Sequence, residues 1–439
     1  MARRSLQFWT MVGAVMTALK LKDAYDDYQE LPTEDGQHRT GPIALRTPTD
    51  EEAPPLRDDL ELDTSIPAIA RPKRKRHADC CVCCGLRCGI FWKAFGIVAL
   101  LFIVWQTIRL IFWASKPVPS GLEHVPEFNT SLQCSDAPHL FNPNQSTYSI
   151  PFKLSTASLS IKLLGEAYGT VVITNGAEDA TDAQMDLVLR TDDDSLLQFV
   201  SFRRPTQEQV DNGSASSEVT LRTPLLEDKS CMRFDIVLHI PPPLKELYLE
   251  TYSASQIKFS PVTEFTLEKL TLNLYTPSDQ NLVLPSATAR AKNLAISMTQ
   301  GYIVGDVTIV DSAVIETNRG NASSNVHIIP ASGTSPAVLT TVTGNGRSDF
   351  FYMSNPSSDT HRSITSTHKT EGTGDLYLKY EQSAFSGKAE IKAASSTVYG
   401  LHTTDFHKHY SSGWVGDEHG RDRLSVHATR QAGWVGLYF

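Results

Sequence analysis

The sequence predicts an all-β outer domain of the parallel β-solenoid kind, joined to one transmembrane helix and a disordered cytosolic tail. Three observations carry this. Ile90–Trp113 (IFWKAFGIVALLFIVWQTIRLIFW) is apolar on every side and slightly longer than the roughly 20 residues a bilayer core requires. From about Ser149 onward the chain alternates apolar and polar residues with period two, broken by Gly, Asn, Ser and Pro clusters. Within that part, segments of one layout recur at intervals suited to a solenoid coil.

The helix comes first because it orders the rest. Only Lys93 and Arg109 are charged within it, each close enough to an end for a long side chain to carry its charge back to the headgroups. Trp92 and Trp113 suit the interfacial belts. A globular helix seldom stays apolar all round for this length. Before the span comes Arg71-Pro-Lys-Arg-Lys-Arg76, then Arg87, and after it a long stretch holds only Lys116. Basic residues near a span stay cytosolic, so the N-terminus is expected in the cytosol and the bulk of the chain outside or in a lumen. The sequons Asn129, Asn144, Asn212 and Asn321 all follow the span and are the expected N-glycosylation sites. Only Cys134 and Cys231 lie on that side, and two cysteines in an oxidising compartment are expected to form a disulfide.

Residues 1–22 form an apolar N-terminal segment. Arg3-Arg4 followed by Leu6–Leu19 resembles a signal peptide, but cleavage there would put the sequons in the cytosol and the basic cluster outside. An interfacial helix is the other reading. Residues 23–79 are acidic, proline-bearing and poor in apolar side chains, and are expected to be disordered. Tyr28-Gln-Glu-Leu31 within them resembles a tyrosine-based sorting signal, against the plainer reading of a solvated linker. The cluster in residues 80–89 holds Cys80, Cys81, Cys83, Cys84 and Cys88. Zinc needs two spaced ligand pairs, and these thiols are compressed into one short run. S-palmitoylation of juxtamembrane cysteines is the favoured expectation, with free thiols as the alternative. Residues 114–147, rich in Pro, Ser and Asn, read as a stalk.

Residues 148–439 are the expected β-rich domain, with a sandwich-like start as an option for its first strands. Residues 247–259 (LYLETYSASQIKF), 270–284, 294–309 and 313–328 share one plan: an alternating strand, a polar corner and a second strand. Stacking puts like strands side by side, with inward Leu, Ile and Val filling a narrow core. The strand ending Ile240-Pro241, the following Leu247-x-Leu249-x-Thr251 and the repeated coils resemble the adhesin-like family of cell-envelope proteins, whose members are right-handed parallel β-solenoids. The layout also looks like fungal single-pass membrane proteins with an acidic tail and a Cys-rich juxtamembrane run. Ser253 and Ser278 stand where that family has glycine. The resemblance implies surface interaction and brings no active-site residues.

Gly413-Trp-Val-Gly416 recurs as Gly433-Trp-Val-Gly436. Trp414 and Trp434 are therefore candidates for a surface-binding platform, or for a cap over the end of the coils. Seven of the 13 histidines follow residue 360. On a strand, Asp405, His407 and His409 would share a face able to bind a metal, against the plainer reading of surface histidines. Asp192-Asp193-Asp194 matches the acidic pattern that holds metal and sugar nucleotide in many glycosyltransferases, but its context reads as an acidic turn between strands. Those enzymes also need alternating strands and helices. No nucleophile elbow, zinc-protease or phosphate-loop pattern is present. The net charge of −9 gives no reason to expect nucleic-acid binding. The expectation is a non-catalytic membrane glycoprotein without a cofactor, partnered by the membrane and by surface or cell-wall glycans or proteins. A secretory-pathway carbohydrate-active enzyme is the alternative.

Overall fold

The computed structural model describes residues 2–29, 82–83, 86–114, 120–212, 217–226, 230–317, 320–355, 361–407 and 409–439. They fall into two compact units, Met1–Val118 and Pro119–Phe439.

The first unit contains α1 (Ala2–Gln29), a short hairpin of β1 (Val82–Cys83) and β2 (Leu86–Arg87), and α2 (Cys88–Ala114). Within α2, Phe91–Phe112 is long and apolar enough to cross a membrane, by length and composition. Leu100, Leu101, Phe102, Ile103, Trp105, Leu110, Ile111 and Phe112 all point out from the unit, as a lipid-facing surface requires. The helices touch each other, and Val12, Ala94 and Val98 are buried. α1 runs past the expected boundary at residue 22: residues 23–29, assigned to the disordered tail from their acidity, continue the helix. Nothing between Gly13 and Pro32 breaks a helix, so charge alone misplaced the boundary. The rest of the tail lies outside the described residues, as do Cys80, Cys81 and Cys84 and the end of the sorting-signal match. Cys83 closes β1 and Cys88 opens α2.

The second unit is built almost wholly of strands. It begins with β3 (His139–Leu140), β4 (Thr147–Ile150), β5 (Ser158–Leu164), β6 (Tyr168–Asn175), β7 (Ala183–Thr191), β8 (Ser201–Arg203), β9 (Glu218–Arg222) and β10 (Met232–Ile240). The repeats predicted from sequence form β11 (Glu246–Thr251), β12 (Ser255–Phe259), β13 (Phe265–Leu274), β14 (Leu282–Leu284), β15 (Ala289–Met298), β16 (Tyr302–Glu316) and β17 (Ser323–Pro330). Then come β18 (Ala337–Thr343), β19 (Ser348–Met353), β20 (Ile364–Thr370), β21 (Leu376–Gln382), β22 (Gly387–Lys392) and β23 (Ser396–Tyr399). The chain closes with β24 (His402–His407), β25 (Tyr410–Val415), β26 (Asp422–Ala428) and β27 (Val435–Tyr438).

Two parallel ladders result. The first runs β9, β5, β11, β13, β15, β16, β18, β20, β26, β22. The second runs β10, β6, β12, β14, β16, β17, β19, β21, β27, β23. Each coil gives one strand to each ladder, which is the parallel solenoid plan. The end of the predicted segment 294–309 and the start of the next, 313–328, form one long β16, bent between the ladders. At both ends spatial order departs from chain order. The β9–β10 coil lies outside β5–β6, and the C-terminal β26–β27 coil is inserted between β20–β21 and β22–β23. Antiparallel strands close three of the four ladder ends: β8 on β9, and β7 on β10 with β3 and β4 beyond it, then the β24–β25 hairpin on β22, while β23 pairs only with β27 among the described residues. Edges covered this way do not template pairing with another chain.

In-register stacking makes the core a set of side-chain rows. One is Ile161, Leu249, Leu272, Ile296, Ile315, Thr341, His368, Val426 and Ile391. Each fully buried aliphatic member contributes roughly 1.5–3 kcal/mol. The row turns polar at Thr341 and His368. His368 Nδ1 lies 2.7 Å from Thr341 Oγ1 and His368 Nε2 lies 2.7 Å from Tyr352 Oη. Tyr352 in turn donates to Ser366 and stacks on Tyr380 at 3.9 Å. Burial holds His368 neutral, with its pKa lowered to about 3. Serine replaces glycine at two corners by hydrogen bonding: Ser253 Oγ donates to the Gly165 carbonyl, and Ser278 Oγ accepts from the Gln280 amide.

Candidate functional site

The outer face of the second ladder has a covered part and an open part. Residues 120–134, which composition marks as stalk, lie across it as a strap. Gly121 packs beside the Arg347 side chain of the β18–β19 coil. Phe128 lies 4.2 Å beneath Lys258 Nζ on β12. Gln256, also on β12, accepts from the Asn129 amide at 2.6 Å and donates to Ser131 Oγ at 2.8 Å. The buried Arg233 of β10 donates to the Asn129 and Leu132 carbonyls and to Asn129 Oδ1. A disulfide joining Cys134 to Cys231, 97 residues apart, ends the strap. Pro, Ser and Asn mimic a free spacer here because the anchors are backbone carbonyls and two apolar side chains, Phe128 and Leu132.

Past Arg347 the face is uncovered, and its side chains change. In-register pairing aligns Asp306, His327, Phe351, Lys379, Tyr438 and Tyr399 in one row. The next row holds Asn325, Asp349, Tyr377, Gly436 and Thr397. Lys379 Nζ sits 4.3 Å above the Phe351 ring and 3.6 Å from Asp349 Oδ1. Arg347 covers the Tyr377 ring at 4.2 Å and donates to both Asp349 oxygens, at 2.6 and 3.0 Å. Those bonds raise the Arg347 pKa and keep it charged. His327 bridges Asp306, at 2.8 Å, and the edge of Phe351. Tyr438 and Tyr399 stack at 5.5 Å, and Tyr399 is exposed. Gly436 leaves the room into which Tyr377 and Tyr438 lean, since a Cβ there would meet their rings at 2.8 and 3.0 Å. A shallow depression of about 310 Å³ lies among Phe351, Lys379, Gln382 and Tyr438. Aromatic faces framed by fixed cations and hydroxyls suit ligands with both apolar and polar faces.

Sequence reasoning missed this surface. Its residues are ordinary strand formers whose outward alternation looks like solubility, and only the register brings them together. The glycine–tryptophan duplication pointed nearby. Trp434 is exposed in the loop before β27, with its amide donating to Asp375 at 2.6 Å. Trp414 sits in β25 with its ring 5.8 Å from His402, as part of the hairpin that closes the first ladder.

The other candidates separate. Asp193 caps the short 3-10 helix Asp194–Phe199, accepting from the Ser195 amide and hydroxyl, which lowers its pKa. Asp192 accepts from the Cys231 amide at 2.8 Å. β24 ends at His407, so His409 lies in the turn that follows, exposed, and does not continue a strand face with Asp405 and His407. The side chains of those two lie outside the described residues. Among the described residues no cluster of three His, Cys, Asp or Glu could hold a metal. Asn129, Asn144, Asn212 and Asn321 are all exposed.

No family model matches the chain, and no curated protein matches it. It is similar to the crystal structure of a candidate cell adhesion protein from Clostridium sporogenes, at 8% identity and a TM-score of 0.17, covering 66% of this chain and 98% of that one. At that score the likeness carries no argument.

Proposed function

We propose that the chain is a single-pass membrane glycoprotein whose C-terminal β domain faces outside the cytosol and binds carbohydrate or protein surfaces without catalysing a reaction. In this reading it is an adhesin-like module of the kind the fungal resemblance suggests. The observation that supports it best is the uncovered aromatic and cationic face of the second ladder, from Phe351 to Tyr399, beside a strap that covers the rest. The basic run before α2 supports the orientation, and the exposed sequons fit it. The enzyme alternative loses support because Asp192 and Asp193 each give an oxygen to a local backbone amide, as turn and cap residues do. S-palmitoylation of Cys80, Cys81, Cys83, Cys84 and Cys88 belongs to the same proposal.

The test is a glycan array probed with the full chain in detergent micelles. Retention on a subset of glycans, weakened about tenfold by Tyr438→Ala, is the expected result. Nucleotide-sugar turnover abolished by Asp193→Ala, with a blank array, would overturn the reading.

A further inference from the structure

A second concavity lies at a corner of the C-terminal coils, apart from the open face. It is a cleft of about 210 Å³ whose lining includes Ser332, Tyr352, Ser354, His361, Arg362, Ser383 and Phe385. Arg362 is only 8% exposed. Its Nε donates to the Ser335 carbonyl at 2.7 Å, and its Nη1 donates to those of Val310, Ala331 and Ile309 at 2.6, 3.0 and 3.4 Å. Gly333 lies against the guanidinium, since a Cβ there would meet Cζ at 2.9 Å. Four carbonyls fix the group without neutralising it. Among the described residues no carboxylate lies within ion-pair distance of it, and Nη2 has no hydrogen-bond partner. Burial lowers its pKa. A charge so placed is costly unless an anion meets it.

The rest of the lining narrows the ligand. Tyr352 and Phe385 form a largely buried aromatic floor. Ser354 and Ser383 donate to the Gln382 and Tyr380 carbonyls, which leaves their oxygens only the capacity to accept. Ser332 Oγ accepts from Asn355 at 3.4 Å. His361 is held by the buried Asp422 at 2.8 Å. The site thus offers a fixed cation with one open nitrogen, Nη2, an apolar floor and hydroxyl oxygens. A ligand that matches has a carboxylate, an apolar ring face and hydroxyl donors.

We propose that this cleft binds an acidic sugar residue, a uronate, with its carboxylate on Arg362 and its ring over Tyr352 and Phe385. The inference deepens the carbohydrate-binding reading above and rests on it. The test titrates the full chain in detergent micelles with glucuronate and galacturonate, against glucose, acetate and inorganic phosphate. Binding of a uronate at least tenfold tighter than glucose or acetate is expected. Arg362→Lys, which keeps the charge and loses the planar group that the four carbonyls orient, should lose about tenfold. Ser332→Trp, which fills the cleft from an exposed position and leaves the arginine's bonds intact, should abolish binding with an unchanged melting midpoint, so the test survives if Arg362→Lys fails to fold. Equal binding of glucose, acetate or phosphate, or unaltered uronate binding by Ser332→Trp, overturns the inference. An array positive for neutral glycans with no uronate binding overturns it too, while leaving the function proposed above in place.

Discussion

The coils from β11 to β17 and those from β18 to β23 share one backbone plan and differ in what they hold. In the first set the inward rows are aliphatic, as in Leu249, Leu272, Ile296 and Ile315, and much of the outer face of the second ladder lies under the strap. In the second set the same inward row passes through Thr341 and His368, and the outer face is open. A repeated scaffold can therefore concentrate stability in one stretch and leave another free to vary, because each coil meets only its neighbours.

That contrast breaks most readily at its strongest points. Cys134→Ser frees the strap and removes a 97-residue crosslink, and should cost about 4.7 kcal/mol by the loop-entropy relation. Denaturant unfolding under non-reducing conditions reads it. Leu272→Ala opens a cavity in the aliphatic row and should cost about 3 kcal/mol. A loss under 1 kcal/mol would mean that the first coils are not the rigid half.

The polar half should show itself through pH. His368 is neutral when folded, with a pKa of about 3, against about 6.5 when unfolded. Between those values the unfolded chain holds the extra proton, so this contribution to stability is full above pH 6.5 and falls as pH drops. The slope is about 1.4 kcal/mol per pH unit until the folded pKa is reached. Thr341→Val, Tyr352→Phe and His368→Leu combined should remove that slope. At pH 7 the triple change should cost about 1–3 kcal/mol, since both sides of the His368 bonds become apolar together while the buried Ser366 hydroxyl loses its Tyr352 partner. Smallest of all, Lys379→Ala on the open face should change stability by about 0.5 kcal/mol or less and act on binding instead.

The coils in which Leu, Ile and Val face inward could be read from sequence, and the repeats at 247–328 fall on β11 to β17. Among the later strands, 338–342, 376–380, 389–393 and 424–428 were also legible and fall on β18, β21, β22 and β26, but β19 and β20 were hidden by composition. Ile364–Thr370 turns Ser366, His368 and Thr370 inward, so a buried strand reads as polar. Ser348–Asp349–Phe350 is buried at three successive positions, which erases the alternation. Insertion of β26 beside β20 pairs residues nearly sixty apart, and no local pattern encodes that. The open face and the Arg362 cleft escaped for the same reason: each is assembled by register, from residues that look ordinary one at a time.

The central claim is that binding belongs to the open coils and not to the strapped ones. The direct measurement sets Tyr438→Ala and Phe351→Ser against Lys258→Ala, an outward residue of β12 beneath the strap, in the full chain on one glycan array. The first two are predicted to lose retention about tenfold while Lys258→Ala binds as the wild type does. Equal loss in all three, or loss in Lys258→Ala alone, would contradict this.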